Sequence, residues 1–406
     1  MNMRRLNSLL AVTLAAVVWQ GCQTTPPTTA ASRSISFAFK QEKLAEMDAL
    51  VEQGIADHLM PGAVLWLDHE GVVYHKAYGQ RALEPVEEPM TENTIFDAAS
   101  LTKVIATTPA IMMLAERGAL DVDAPVQRYI EEFRRDGKDG ITLRHLLTHT
   151  SGLRSGLVKR PEGQRAAITQ ACQEVVTNAP GARFLYSDIN FILLGEIVQR
   201  VSGRPLEQFT TEEIYGPLKM KDTRYLPWSV DLPRIAPTER DGTNILRGVV
   251  HDETSRGMGG VAGHAGLFTT AADLARYARM LLNGGELDGV RLLRPETVSA
   301  MTSVQSPATL AAKRGFGWDI DTGYSRRGDV FPIGSYGHTG FTGTALWIDP
   351  YSKTFWVLLT NRVHPTRKPN IKPLQEKFST LAAEATGLQS ARTGAAGTTN
   401  SPTAPR

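Results

Sequence analysis

Four residues raise the question of chemistry first: Ser100-Leu101-Thr102-Lys103. A serine hydroxyl attacks a carbonyl only when a neighbouring base takes its proton, and a partly buried lysine can have its pKa lowered enough to help. On a helix, residues three apart share one face, so this spacing holds the amine beside the hydroxyl. A helix that starts at the serine also presents unpaired N–H groups and a positive dipole end, which favour developing negative charge. With 20 serines and 13 lysines in 406 residues, about 0.6 such pairs arise by chance. On the tetrapeptide alone, an N-cap serine followed by a solvent-facing lysine is the favoured reading.

Other reactive side chains organise less well. His251-Asp252-Glu253 and His264 are metal-ligand types, but their spacing is not diagnostic and no other ligand cluster is near. They flank a glycine-rich stretch and are expected to shape a loop near a cleft. His69-Glu70 and His75 do not form H-E-x-x-H and fall on an expected hairpin. His149 is expected to make a structural hydrogen bond. Neither G-x-x-x-x-G-K-[ST] nor G-x-G-x-x-G occurs, so nucleotide binding has no motif behind it. No G-x-S-x-G elbow supports the α/β-hydrolase route. No metal and no cofactor are expected.

The elements that must position Ser100 can be read from periodicity. Leu44, Met47, Leu50, Val51 and Ile55 mark an amphipathic helix over 40–55. Residues 63–68 and 72–78 read as two strands with a turn near Glu70-Gly71. Helical patterns dominate from about 100 to 290, with helices over 100–118, 189–203 and 271–285. Pro109 inside the first should kink or loosen it. Strand patterns return at 315–321, 337–349 and 354–361, and a last helix covers about 371–386. The expected class is α+β: an antiparallel sheet flanked by the N- and C-terminal helices, with a large inserted helical subdomain. A cleft between the two lobes is the natural place for a site. No repeat of period 20–50 is found.

With these segments in view, the chain resembles the penicillin-binding proteins and serine β-lactamases, and within them the class C β-lactamase-related branch. That branch carries Ser-x-x-Lys, Tyr-x-Asn and Lys-Thr-Gly in order. Here stand Ser100-x-x-Lys103, Tyr186-Ser187-Asp188 and His338-Thr339-Gly340, separated by 86 and 152 residues. LLTHTSGL (146–153), ERGALDVDAPV (116–126) and GGVAGHAGLFTTAADLARY (259–277) look familial too, and the likeness covers roughly 40–388. It implies a β-lactamase/transpeptidase-like fold with Ser100 as the acylated nucleophile, Lys103 as its activator and Tyr186 as general acid/base. Tyr186 can serve only if nearby positive charge stabilises its phenolate. The backbone N–H groups of Ser100 and Phe341 would form the oxyanion hole. Asp188, His338, Thr339, Gly340, Phe341 and Arg362 are the implied substrate-binding residues. Two departures matter. An ionised Asp188 cannot donate to a substrate carbonyl as an amide does. A neutral His338 anchors a substrate carboxylate less well than lysine, although Arg362 could restore a positive charge. Both departures fit esterases and some peptidases better than an efficient β-lactamase.

The ends of the chain bear on location. Residues 1–21 hold Arg4 and Arg5, then an apolar run from Leu9 to Trp19, the shape of a signal peptide and short for a membrane span. Gly21-Cys22 resembles a lipoprotein cleavage site with Cys22 lipidated, which points to the periplasm or cell envelope. Residues 22–36 read as a tether and 389–406 as a disordered tail, leaving 37–388 as the hydrolase domain. Its sheet lobe is expected at about 37–99 and 290–388 and its helical lobe at about 100–289. Of 44 Lys+Arg and 42 Asp+Glu, the leader holds two of the basic residues, so the body is neutral. That argues against non-specific nucleic-acid binding. The expectation is an exported serine hydrolase acting on a peptidoglycan D-alanyl peptide or a small carboxylic ester. The alternatives are a non-catalytic cell-wall peptide-binding envelope protein or a weak β-lactamase.

Overall fold

A computed structural model describes residues 35–134, 137–367 and 370–389. The leader, Cys22, most of the tether and nearly all of the tail lie outside the described residues.

Eight antiparallel strands form the main sheet. In chain order they are β1 (Gly62–His69), β2 (Val72–Ala82), β3 (Glu88–Pro89), β4 (Lys313–Arg314), β5 (Asp319–Asp321), β6 (Tyr336–Thr339), β7 (Ala345–Asp349) and β8 (Thr354–Thr360). In space the order is β4-β5-β6-β7-β8-β1-β2-β3. The two ends of the sequence thus meet at β1 and β8, where Ala63 pairs with Thr360 and His69 with Thr354. Every residue of β7 and β8 is buried. Strands covered on both faces read as continuous apolar runs rather than alternating ones, and TFWVLLT is such a run.

One face of the sheet is covered by α1 (Gln41–Ala56) and by the C-terminal helix, which runs from Lys372 to Ala385. Leu44, Met47 and Val51 meet Trp356, Leu358, Phe378 and Leu381 there. Trp356 packs edge-on against Phe378 at 5.2 Å and donates its indole N–H to Ser379 Oγ at 2.9 Å, so its polar tip is satisfied as well. Val64, Leu346, Phe355, Val357 and Leu359 belong to the larger core shared with the helices between the two halves of the sheet. Those include α2 (Thr108–Glu116), α3 (Asp188–Ser202) and α4 (Ala271–Leu282). α3 ends as its sequence says, with Gly203 left-handed at φ 69°. α4 begins at Thr270, whose Oγ1 accepts the Asp273 N–H.

Three expectations shift. The helix over 100–118 is built in three pieces: a 3-10 turn at Ala99–Leu101, a widened π turn at Lys103–Thr107, and α2. Pro109 stands in the first turn of α2, so the loosening falls before the proline, where its missing N–H would otherwise leave a gap in the ladder. The strand over 337–349 is two, β6 and β7, separated by a turn at 340–344. Within 315–321 only Asp319–Asp321 is strand.

Candidate active site

Ser100 follows a short strand, Phe96–Asp97, that pairs with Leu267–Thr269. Between them Asp97 fixes the approach. One of its carboxylate oxygens accepts the Ala99 N–H at 2.9 Å and the other the His251 N–H at 2.7 Å. Ala99 is left-handed at φ 47°, a conformation an alanine holds only where its surroundings impose it. The strain sits one residue before the serine.

Lys103 is fully buried. Its Nζ lies 3.1 Å from Ser100 Oγ, 3.0 Å from the His264 carbonyl and 2.7 Å from Asp188 Oδ1. An ammonium has three donors and no acceptor; Ser100 Oγ and the His264 carbonyl each accept from it, and the Asp188 carboxylate stands beside it as counter-charge. Burial alone would lower the pKa of this lysine. The Asp188 carboxylate and the Tyr186 phenol outweigh it and hold Lys103 above the ordinary lysine value. The structure therefore presents a fixed cation beside the hydroxyl rather than a free amine. The glycine-rich loop supplies the third contact. Thr107 donates to Gly263 O at 2.7 Å, and a Cβ on Gly263 would come within 2.0 Å of the Phe191 carbonyl on α3. His264 is itself anchored, its Nε2 2.9 Å from Asp252 Oδ1.

Tyr186 precedes α3. Its ring centre lies 5.0 Å from Lys103 Nζ, 4.4 Å from the His149 ring and 6.0 Å from the His338 ring. Both histidines are buried and held neutral. Burial, Arg314 and Lys103 keep each well below the ordinary histidine value. His149 Nδ1 accepts the Ser187 N–H at 3.1 Å, the structural bond expected of it, so its proton sits on Nε2. His338 Nδ1 faces the Thr339 carbonyl at 2.8 Å. A carbonyl only accepts, which places the His338 proton on Nδ1 and leaves Nε2 as an acceptor.

The turn after β6 is clasped to the backbone that leads into Ser100. Thr342 donates to Asp97 O at 2.8 Å and Thr344 to Ala98 O at 3.0 Å. Gly340 fills the gap between them, where a Cβ would stand 2.1 Å from Thr344 Oγ1 and 2.6 Å from Ala98 O. Ser100, Tyr186, His338, Thr339, Gly340, Phe341 and Arg362 all line one cavity of about 580 Å3. Arg362 lies over the Phe341 ring, 4.9 Å from its centre. Past Phe341, a second cavity of about 330 Å3 also reaches Ser100 and is walled by His251, Asp252 and Arg367. Asp188 does not line the larger cavity; its carboxylate is engaged by Lys103. Sequence reasoning missed Arg314, Arg326 and Asp319, which do line it, and the His264 carbonyl. A main-chain acceptor leaves no residue-type signal, and isolated arginines outside a motif look like surface residues.

Comparisons with known proteins agree with this architecture. The chain is 35% identical over 379 residues to the N-acetylmuramyl-L-alanine amidase of Bacillus subtilis (strain 168), covering 82% of this chain and 85% of that one. It is 32% identical over 381 residues to a protein of Escherichia coli (strain K12) named "Putative D-alanyl-D-alanine carboxypeptidase", covering 82% and 86%. A class C beta-lactamase structure superposes with a TM-score of 0.71 at 20% identity, covering 85% of this chain and 96% of the other. A penicillin-binding protein homologue from Caulobacter crescentus gives 0.70 at 22% identity, covering 85% and 98%. These two likenesses establish the fold. Residues 47–377 match the family model described as Beta-lactamase, and the chain belongs to that family as a serine hydrolase of β-lactamase/penicillin-binding-protein type.

Proposed function

We propose that this protein hydrolyses an amide of a peptidoglycan-derived peptide through an acyl-enzyme on Ser100. The observation that carries the reading is the 3.1 Å contact of the buried Lys103 Nζ with Ser100 Oγ, a serine that lines the same cavity as Tyr186. In this reading Ser100 Oγ bonds to the carbonyl carbon while Tyr186, acting as general base, takes its proton. The N–H groups of Ser100 and Phe341 receive the oxyanion. The C–N bond then breaks and the leaving amine takes the proton from Tyr186. Water repeats the sequence on the acyl group, giving a proton to Tyr186 as it attacks, and that proton returns to Ser100 as the ester bond breaks. Asp188 serves as counter-ion to Lys103, and Thr339 and Arg362 face the bound substrate.

The names of the relatives support a substrate from peptidoglycan: one names an amide of N-acetylmuramyl-L-alanine, the other a D-alanyl-D-alanine peptide. The leader-like residues 1–21 and Gly21-Cys22 support export and attachment to the cell envelope through a lipid on Cys22. Ester hydrolysis and slow β-lactam turnover would use the same acyl-enzyme. The test is mass-spectrometric product analysis with an N-acetylmuramyl-L-alanyl peptide and with a peptide ending in D-alanyl-D-alanine, comparing wild type with Ser100→Ala. Cleavage of one of them by wild type, and of neither by the variant, is expected. Turnover by Ser100→Ala, or none by wild type on either peptide, would falsify the reading.

A further inference from the structure

Asp97 stands three residues before the nucleophile and is buried. A carboxylate in so dry a place is costly unless its oxygens are satisfied. Both are taken by main-chain N–H groups, Ala99 at 2.9 Å and His251 at 2.7 Å. The Asp97 carbonyl accepts the Thr342 hydroxyl at 2.8 Å. One residue thus joins three segments far apart in the chain: the turn into Ser100, the loop at His251, and the turn between β6 and β7.

These segments aim the two oxyanion donors. The peptide between Ala99 and Ser100 is planar, so the left-handed Ala99, φ 47°, sets the direction of the Ser100 N–H. The Ala99 N–H is the group that Asp97 holds. Phe341 lies between Gly340 and Thr342. The Gly340 N–H closes the turn on the Thr344 carbonyl at 2.7 Å. Two hydroxyls then pin that turn to the Ser100 approach, Thr342 on the Asp97 carbonyl and Thr344 on the Ala98 carbonyl. From a third side the His251 ring lies nearly parallel to the Phe341 ring, at 20° and 5.6 Å between centres. Ala99, Ser100, His251 and Phe341 accordingly share the wall of the smaller cavity. Oxyanion donors act at about 2.7–3.1 Å from the developing charge, and a misplacement of about 1 Å can cost a hundredfold. Two donors from distant segments need a common reference, and Asp97 touches both.

We infer that Asp97 is a positioning residue for the oxyanion hole: its carboxylate and its carbonyl together fix the segments that carry the Ser100 and Phe341 N–H groups. This rests on the reading of Ser100 as the acylated nucleophile. Asp97 acts through those two N–H groups, so its effect falls on kcat and not on KM.

The test compares p-nitrophenyl acetate with p-nitrophenyl thionoacetate, using the full chain. Sulfur is larger than oxygen and accepts hydrogen bonds poorly, so the ratio of the two rates reads the fit of the oxyanion hole. Asp97→Asn puts an NH2 where one of the two accepting oxygens stood, and Thr342→Val removes the hydroxyl on the Asp97 carbonyl. In both, kcat for the ester is expected to fall about tenfold or more, with KM within about twofold. The thionoester should lose less, so the ratio falls towards one. Asp349→Asn is the control. That buried carboxylate also accepts main-chain N–H groups, from Tyr351 and Ser352, at the far end of β7, and its loss should lower the melting temperature but leave the ratio unchanged. An unmoved ratio in both Asp97→Asn and Thr342→Val, or an equal fall in Asp349→Asn, overturns the role of Asp97. Should Asp97→Asn not fold, Thr342→Val decides. Phosphonylation of Ser100 by a fluorophosphonate is timed in parallel, because its P=O oxygen enters the same pair of N–H groups. If wild type cleaves neither ester, labelling as fast in both variants as in wild type overturns the role. Labelling of wild type with an unmoved ratio rejects Asp97 alone, and no labelling of folded wild type rejects the Ser100 reading.

Discussion

The two walls of the cleft each depart from the family pattern by one residue, and each departure makes the site less positive by one charge. On the α3 wall an aspartate, Asp188, stands where the pattern has asparagine. On the β6 wall a histidine, His338, stands where it has lysine. The outcomes are opposite. Asp188 meets a buried ammonium at 2.7 Å and becomes part of what holds Lys103 beside Ser100. His338 meets Arg314 and Lys103 in a buried setting and is kept neutral, so it brings no charge of its own to the cavity it lines. A change of charge in a site is therefore read by what the new side chain touches, not by its sign alone.

The sharpest way to break this comparison is at the residue both walls address. Lys103→Met removes the cation and leaves Asp188 without its partner. We expect kcat/KM to fall about a thousandfold. Unfolding in urea should show a loss of about 2 kcal/mol, less than for a fully enclosed pair because the Asp188 side chain is 32% exposed. A wild-type rate in Lys103→Met would remove Lys103 from the mechanism.

Asp188→Asn restores the family amide and tests the α3 wall alone. The folded pKa of Lys103 is raised above 10.5, so its ionisation contributes stability that is complete below 10.5 and lost as pH climbs through the folded value. Without Asp188, burial lowers the pKa instead. The alkaline limb of the kcat/KM profile should move down by about one pH unit or more. An unmoved limb would mean that Asp188 does not set the charge on Lys103.

Gly340→Ala tests how the β6 wall is held against Ser100. The added methyl meets Thr344 Oγ1 and Ala98 O, so the turn must retreat. A displacement of this order costs about a hundredfold in turnover, visible as slower acylation in a single-turnover experiment.

The smallest effect concerns His338 itself. Its folded pKa lies well below 6.5, so its contribution to stability is present above pH 6.5 and lost as pH falls below it. The slope approaches about 1.4 kcal/mol per pH unit. His338→Gln should flatten the fall in melting temperature between pH 6.5 and 5. An unchanged slope would show that His338 is protonated in the fold.

Much of this was legible because the signals are local and periodic. The apolar run TFWVLLT, the 3.6-residue pattern of α3 and the turn at Glu70-Gly71 gave their elements to within a few residues. The three motifs converge on one cavity, since each is a short segment whose chemistry and backbone travel together. The remainder depends on distant contacts. The π turn at Lys103 forms where Thr107 and Lys103 both reach the glycine-rich loop some 160 residues away. Asp188 looked like a substrate ligand, and its partner became visible only once α3 and the Ser100 turn were placed together. Arg314 sits in no motif, and burial, which makes it informative, is not written in its type.

The central claim is that Ser100, held beside the Lys103 cation, forms the covalent intermediate. The most direct measurement is intact-protein mass spectrometry after a fluorophosphonate, followed by peptide mapping, on wild type and Ser100→Ala. A single adduct on Ser100, absent from the variant, is the expected result. An adduct on another residue, an adduct that persists in Ser100→Ala, or none on the folded wild type would contradict it.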